Sequence, residues 1–348
     1  MSEQPQFKKK YYPINDTFRA YLQKYKRLTK TKVFYDDLLR FQGSVVVYDR
    51  EDKDTLWTRV YYNEFERVEL DNSLKKIYTL LHSDGDESNF EHLNVDNIDF
   101  CTFGNSKPFR VKVRNILNDN YTHFYIKKAD ASRVFGLELE HIISPNSINY
   151  LVFEDTLIEE HIVGIPGDIF LERNLQNCTE LEKSQIAKEF VKFNERCMIG
   201  LLGDMRAYNF VVIPIYDFDQ RIFKIRAIDF DQQSYEGSFR LYKPHLFKEN
   251  YKFSHLVQTK LKPKSVLQYQ IEERSVLVKR LFDTKARLES LIEAMKSTKL
   301  APDEHIAQLQ EEIYQLTLDV NFRNATSMGE IVQAALSFME RNYRFEDE

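Results

Sequence analysis

The sequence predicts an α+β fold, and three observations carry that prediction. Runs rich in β-branched and aromatic residues crowd between about residues 96 and 163. One long amphipathic helix over 182–202 then leads into a two-strand hairpin. After about residue 235 the apolar spacing is mainly helical. The 348 residues suggest two or three domains, at roughly 100–200 residues each. With 43% apolar and 14% aromatic residues, the chain can bury a thick core.

Taken in order, residues 14–28 read as a helix capped by Asn15 or Asp16, with Phe18, Leu22, Tyr25 and Leu28 on one face. The runs 44–48 and 56–62 suggest a hairpin across a polar stretch. A helix over 73–82 follows. The run Ser83-Asp84-Gly85-Asp86-Glu87-Ser88 is the clearest linker, so a domain boundary is expected there, closing an N-terminal accessory α/β region of residues 1–95. Strands are expected over 100–103, 109–113 and 123–127, with a turn at Asn118-Asp119-Asn120. A helix over 131–143 and strands over 148–153 and 157–163 complete this part. The second half holds the helix 182–202 and strands over 209–216 and 222–230. Farther on, Leu277, Leu281, Leu288, Leu291 and Met295 form one helical seam, and Ile306, Leu309, Ile313, Leu316 and Val320 another. This helical pair either packs on the body of the protein or makes a homodimer contact.

Composition excludes several classes. A net charge of −5 supplies no global positive field, so neither nucleic acid nor an anionic membrane is an expected partner. The basic clusters Lys8–Lys10 and Lys24–Arg27 read as solvated surface. Cys101, Cys178 and Cys197 lie far apart with no CxxC pair, which fits a reducing compartment. The polar start has no apolar signal core, and no stretch approaches the roughly 20 apolar residues of a membrane span. A cytoplasmic protein is expected. There is no HExxH, no G-x-S-x-G elbow and no P-loop.

The chemistry concentrates in two segments. Gly203-Asp204-Met205-Arg206-Ala207-Tyr208-Asn209 places a carboxylate and an amide five residues apart, between a long helix and a strand. Ile225-Arg226-Ala227-Ile228-Asp229-Phe230-Asp231 is an apolar strand ending in carboxylates. Phosphoryl transfer needs such groups together. It demands little covalent chemistry from the protein, only positioned charge: one carboxylate for the attacking hydroxyl, and a carboxylate with an amide oxygen for the metal ions that bridge the phosphates.

The D-x-x-x-x-N loop followed by A-I-D-F-D resembles the protein-kinase-like superfamily, especially its aminoglycoside- and choline-kinase-like branch. Members often write these segments H-G-D-x-x-x-x-N and I-D-[FW]-x. Here Leu202 stands in place of the leading His, and Asp231 in place of the third-position Gly of eukaryotic protein kinases. The resemblance covers about residues 100–235. It implies a two-lobed fold with an N-lobe over 96–163, a C-lobe core over 164–262 and a helical C-terminal extension over 263–348.

Position by position, the resemblance makes Asp204 the catalytic base, Asn209 and Asp229 ligands of Mg²⁺, and Asp231 a metal or supporting group. Arg206 would neutralise the γ-phosphate, or else form a structural salt bridge. Gly104 and Ser106 would belong to the nucleotide loop. Tyr125 would lie against adenine, and Lys127, or Lys128, on the α/β-phosphates. Glu138, or Glu140, would pair with that lysine. Backbone groups near Glu160 and Ile162 would meet the adenine edge, just before the turn Gly164-Ile165-Pro166-Gly167. The implied activity is ATP-dependent transfer to a hydroxyl of a small molecule or a protein. A nucleotide-binding pseudokinase and an AMP transferase are the alternatives.

Overall fold

In the computed structural model, the described residues are 9–83, 85–86, 88–103, 106–144, 147–218 and 220–343. They form two units. Unit 1 holds Met1–Asp130 and Ile148–His161; unit 2 holds Ala131–Ser147 and Ile162–Glu348.

Unit 1 contains helices α1 (Asp16–Lys24), α2 (Tyr35–Leu38) and α3 (Glu64–His82). Its strands are β1 (Gly43–Tyr48), β2 (Asp54–Tyr61), β3 (Leu93–Cys101), β4 (Phe109–Asn115), β5 (Tyr121–Lys128), β6 (Tyr150–Phe153) and β7 (Thr156–Glu160). All seven strands join one antiparallel sheet in the order β1-β2-β3-β4-β5-β7-β6. Val95, Val111, Val113, Phe124, Ile126 and Ile158 turn to one face, where α3 adds Leu74, Ile77 and Leu81. The opposite face carries Trp57, Arg59, Asp99, Arg110 and Tyr125, following the two-residue period of the strands.

The expected boundary at 83–88 does not divide the chain. Strand β3 follows after a short helical turn and pairs with β2, Trp57 opposite Cys101 and Arg59 opposite Asp99, so β1 and β2 belong to the same sheet as the strands after them. The helix expected at 73–82 begins at Glu64, where Asn63 accepts a capping bond from the Glu66 amide at 2.9 Å. Its first turns hold Phe65 and Val68 in water, 90% and 61% exposed, so they show no apolar period until Leu70. At the start of the sheet, β1 is an edge strand with Val45, Val46 and Tyr48 exposed.

Unit 2 contains α4 (Ala131–Ile143), α5 (Gly167–Ile169), α6 (Glu180–Gly200), α7 (Tyr251–Lys260), α8 (Pro263–Asp283), α9 (Lys285–Lys296), α10 (Asp303–Thr317), α11 (Val320–Arg323) and α12 (Met328–Asn342). Strands β8 (Ile165–Pro166), β9 (Phe210–Asp217) and β10 (Gln220–Ala227) form a second antiparallel sheet in the order β10-β9-β8. A capping box starts α6: Thr179 and Glu182 satisfy each other's backbone amides. Buried ion pairs tie α6 to α8, with Arg196 on Glu273 at 2.8 Å and Glu195 on Arg274.

The expected split into four segments gives way to these two units. The third and last passage of the chain between units, at His161/Ile162, lies two residues before the expected one at 163/164. The expected N-lobe helix, α4, is instead part of unit 2, packed on α6, α8 and α9. Its last carbonyls, His141 O and Ile142 O, accept bonds from Arg280 on α8 at 3.0 and 3.2 Å. In the C-terminal part Leu277, Leu281, Leu291, Met295, Leu309 and Ile313 are buried within this single chain. The second seam ends earlier than its spacing suggests. Leu318 turns left-handed (φ 56°) after α10, and Leu316 and Val320 stay 64% and 59% exposed. No helix among the described residues is long and apolar enough to cross a membrane.

Candidate active site

The loop after α6 is shaped by two left-handed residues. Leu201 (φ 51°) ends the helix, and Asp204 (φ 54°) turns the chain again three residues later. An aspartate tolerates this region better than most side chains, because its short polar group bonds locally. Backbone bonds pin the loop from both sides: Gly203 N–H to Gln232 O at 3.2 Å, Asp204 N–H to Leu241 O at 3.1 Å and Arg206 N–H to Asp204 O at 2.8 Å. Below it, the fully buried Asn250 donates to Met205 O at 2.8 Å and Pro244 O at 2.7 Å. Leu202 is 5% exposed and occupies an apolar place.

These constraints aim the side chains. Arg206 Nε donates to Asp204 Oδ1 at 2.6 Å, and its Nη1 to Glu249 Oε1 at 3.0 Å. The salt-bridge alternative for Arg206 is therefore formed, and it holds the carboxylate of the expected base. Glu249 went unread in the sequence; it lies 45 residues from Asp204, and no spacing links the two. Asn209 donates through Nδ2 to Asp204 O at 2.7 Å, so its amide oxygen is the atom left over. The strand ends then bring Asp229 alongside. Ala227 pairs with Phe210, and Ile228 N–H bonds Asn209 O at 3.1 Å. Asp229 Oδ1 accepts from the Asp231 amide at 3.0 Å and from Arg133 Nη1 at 2.8 Å; Asp231 Oδ1 also bonds Arg133.

A magnesium ion is implied by the resemblance, and the residues fit one in part. Asn209 Oδ1 and Asp229 Oδ2 lie outside the bonds just described, and Asp229 is 34% exposed. Among the described residues no group of three or more His, Cys, Asp or Glu side chains is arranged to hold a metal. Asp231 faces Arg133, so its expected metal role has a competitor inside the protein.

Burial raises the Asp204 carboxyl above the ordinary aspartate range; Arg206 opposes the rise, while Asp229 and Glu249 add to it. Nearby Tyr208, 48% exposed, is pushed up by burial and by the charges of Asp204, Glu249 and Asp229, against Arg206, so its phenol stays a donor near neutrality. An acid–base role for Asp204 needs the ionised form, which is depleted as pH falls through the raised value. The acid limb of kcat/KM is therefore expected above the ordinary aspartate range, and a pH–rate profile measures it.

In unit 1 the expected nucleotide residues have other partners. Lys127 Nζ lies 2.9 Å from Glu159 Oε2, and both side chains are buried. Strand register explains the pair: Lys127 faces Leu157, which sets Glu159 diagonally across on the same face. The expected pair of Lys127 with Glu138 is thus replaced. Glu138, 0% exposed, takes Arg287 at 2.7 Å within unit 2, and Glu140 is charge-balanced by Arg196 and bonded to Ser144. Glu138→Ala is expected to cost about 3 kcal/mol by removing the buried carboxylate that Arg287 bonds, read as a shift of the denaturant midpoint. Lys128 reaches Asp36 and Asp155, at 3.8 and 3.7 Å, and lies over the Tyr11 ring.

Tyr125 Oη meets His161 Nδ1 at 3.1 Å, with the Trp57 ring 6.3 Å away. Burial and neighbouring cations push His123 down to about 4 and lower His161 as well. Both rings are therefore uncharged near neutrality. Ser106 lies in the loop before β4, where Lys107 O accepts from Tyr35 Oη at 2.8 Å; Gly104 lies outside the described residues. Glu160 Oε1 accepts from Asn149 N–H at 2.8 Å, and Ile162 is buried in unit 2.

The turn Gly164-Ile165-Pro166-Gly167 owes its glycines to crowding. A Cβ on Gly164 would lie 2.7 Å from Val211 Cβ, and one on Gly167 would lie 2.5 Å from Ala207 O. The second contact sets the start of α5 against the loop that carries Asp204 and Asn209.

No protein-family model matches this sequence, and no curated protein matches it. Among solved structures, an ethanolamine kinase of Plasmodium vivax overlaps 82% of this chain and 92% of its own, at 12% identity and a TM-score of 0.24. Likeness at that score settles neither fold nor activity, which rest on the chain's own residues.

Proposed function

We propose that this chain is an ATP- and magnesium-dependent phosphotransferase acting on a hydroxyl of a small molecule. The observation that carries the proposal is the loop 203–209 with the strand end at Asp229. One carboxylate, Asp204, is held by an arginine, and Asn209, whose Oδ1 lies outside that bonding, is joined by a backbone bond to the strand end that carries Asp229. In this reading Asp204 accepts or orients the proton of the acceptor hydroxyl, with Arg206 fixing its rotamer. Asn209 and Asp229 would hold the metal, whose chemistry when bound is to neutralise the phosphate oxygens. Ser106, Tyr125, Lys127, Glu160 and Ile162 keep nucleotide roles on the sequence resemblance. For Lys127 that role implies sharing its charge with Glu159.

A second reading, nucleotide binding without transfer, draws on Arg133, which already neutralises Asp229 and Asp231, and on Leu202 in the histidine position. Thermal unfolding with ATP, with and without Mg²⁺, on wild type and Asp229→Ala tests the metal–nucleotide site, because a ligand of the native state raises apparent stability. A magnesium-dependent rise that the variant loses supports the site. No rise at saturating ATP sinks both readings. A rise with no product across a panel of hydroxyl acceptors favours the second.

A further inference from the structure

Arg133 sets how many metal ions the acidic segment can hold. It sits on α4 with its side chain 1% exposed, and its Nη1 bonds both Asp229 Oδ1, at 2.8 Å, and Asp231 Oδ1. The helix that carries it is fixed on the same segment at two further points. The Ser132 hydroxyl donates to Gln233 O at 2.5 Å, and a Cβ on Gly136 would come within 3.0 Å of Phe230 and Gln233. Arg133 therefore cannot swing away without moving α4.

A guanidinium does not give up its proton in a protein, so it is a permanent positive charge. Two ionised aspartates separated by one residue repel each other if left alone. The Arg133 guanidinium places a fixed positive charge between the two carboxylates. It also occupies one oxygen of each, which a second metal ion would have to reclaim from a buried, bonded cation.

We infer that Arg133 is the built-in cation of this acidic pair, that Asp231 serves Arg133 rather than a metal, and that the centre takes a single divalent ion at Asn209 and Asp229. The inference rests on the phosphotransfer proposal for the location of the metal, and narrows it to one ion.

The test is direct counting of bound manganese by electron paramagnetic resonance on the full-length chain, with and without ADP. Wild type is expected to bind one ion. Asp231→Asn keeps that ion with affinity within about threefold, whereas loss of a metal ligand would weaken it by about tenfold or more. Arg133→Gln is expected to bind manganese about tenfold tighter or to take a second ion, since the carboxylates lose their internal cation. Arg133→Lys restores the wild-type count. A second ion in wild type, a metal-binding loss in Asp231→Asn, or no gain in a folded Arg133→Gln overturns the inference. If Arg133→Gln does not fold, the wild-type count and the Asp231→Asn affinity decide it. Should no chain bind manganese, the single-ion centre fails, and stabilisation by ATP alone then shows whether nucleotide binding survives.

Discussion

Asp204→Asn is expected to lower phosphoryl transfer by roughly 10²- to 10⁴-fold while leaving nucleotide-dependent stabilisation in place. Asparagine is the informative replacement because residue 204 has φ 54°, and asparagine, unlike alanine, adopts that conformation readily. The Nδ2–carbonyl bond from Asn209 is made to the backbone of residue 204, so it survives the change. The Arg206 guanidinium keeps its second partner, Glu249, at 3.0 Å. What goes is the ionisable oxygen. The loss should fall on kcat rather than KM, and the acid limb of the pH profile should vanish with it. An unchanged kcat with an acceptor in hand would remove Asp204 from the chemistry.

Gly167→Ala is expected to be a strongly damaging single methyl. The added carbon would lie 2.5 Å from Ala207 O and 2.5 Å from Phe210 Cε2. A side chain can rotate aside, but a carbonyl moves only with its backbone. Here that backbone is the short helical turn Ala207–Asn209, which seats Asn209. Overpacking of this kind costs about 1–3 kcal/mol. We expect the upper end, together with loss of activity as Asn209 shifts. Gly43→Ala is the matched control: nothing lies within 4 Å of its added carbon, so a change within about 0.5 kcal/mol is expected. Denaturant midpoints for the two variants make the comparison, and equal midpoints would refute the crowding.

The site was legible where its chemistry is local in sequence. Asp204 and Asn209 share one loop, and Asp229 follows after a hairpin whose turn residues and alternation are plain; the structure brings these groups together. The parts that escaped depend on pairings across long separations. Lys127 meets Glu159 because of the register of β5 on β7, and a shift of one residue would send Glu159 to the other face. Arg133 carried a faint signal, a lone basic residue inside the apolar run Ala131–Leu139. A charge in such a run is buried only with partners, so it asked for carboxylates elsewhere. The apolar spacing gives the bounds of the helix over 131–143 but not its neighbours. Its periodicity says which faces are apolar, not which unit covers them. The boundary expected at 83–88 fails for a related reason: turn residues signal a break between elements, not between units, and α3 and β3 on either side lie in the same unit.

The edge strand β1 has a consequence for how unit 1 comes apart. None of the buried residues in the core of that unit comes from Gly43–Tyr48, and Val45, Val46 and Tyr48 already face water. Detaching β1 would therefore break a single ladder of backbone bonds, the one to β2, and open no cavity. Its amides should exchange with deuterium through a local peeling motion that the rest of the sheet does not share. Those of β4, enclosed between two strands and bearing Phe109, Val111 and Val113, should wait for the whole unit to open.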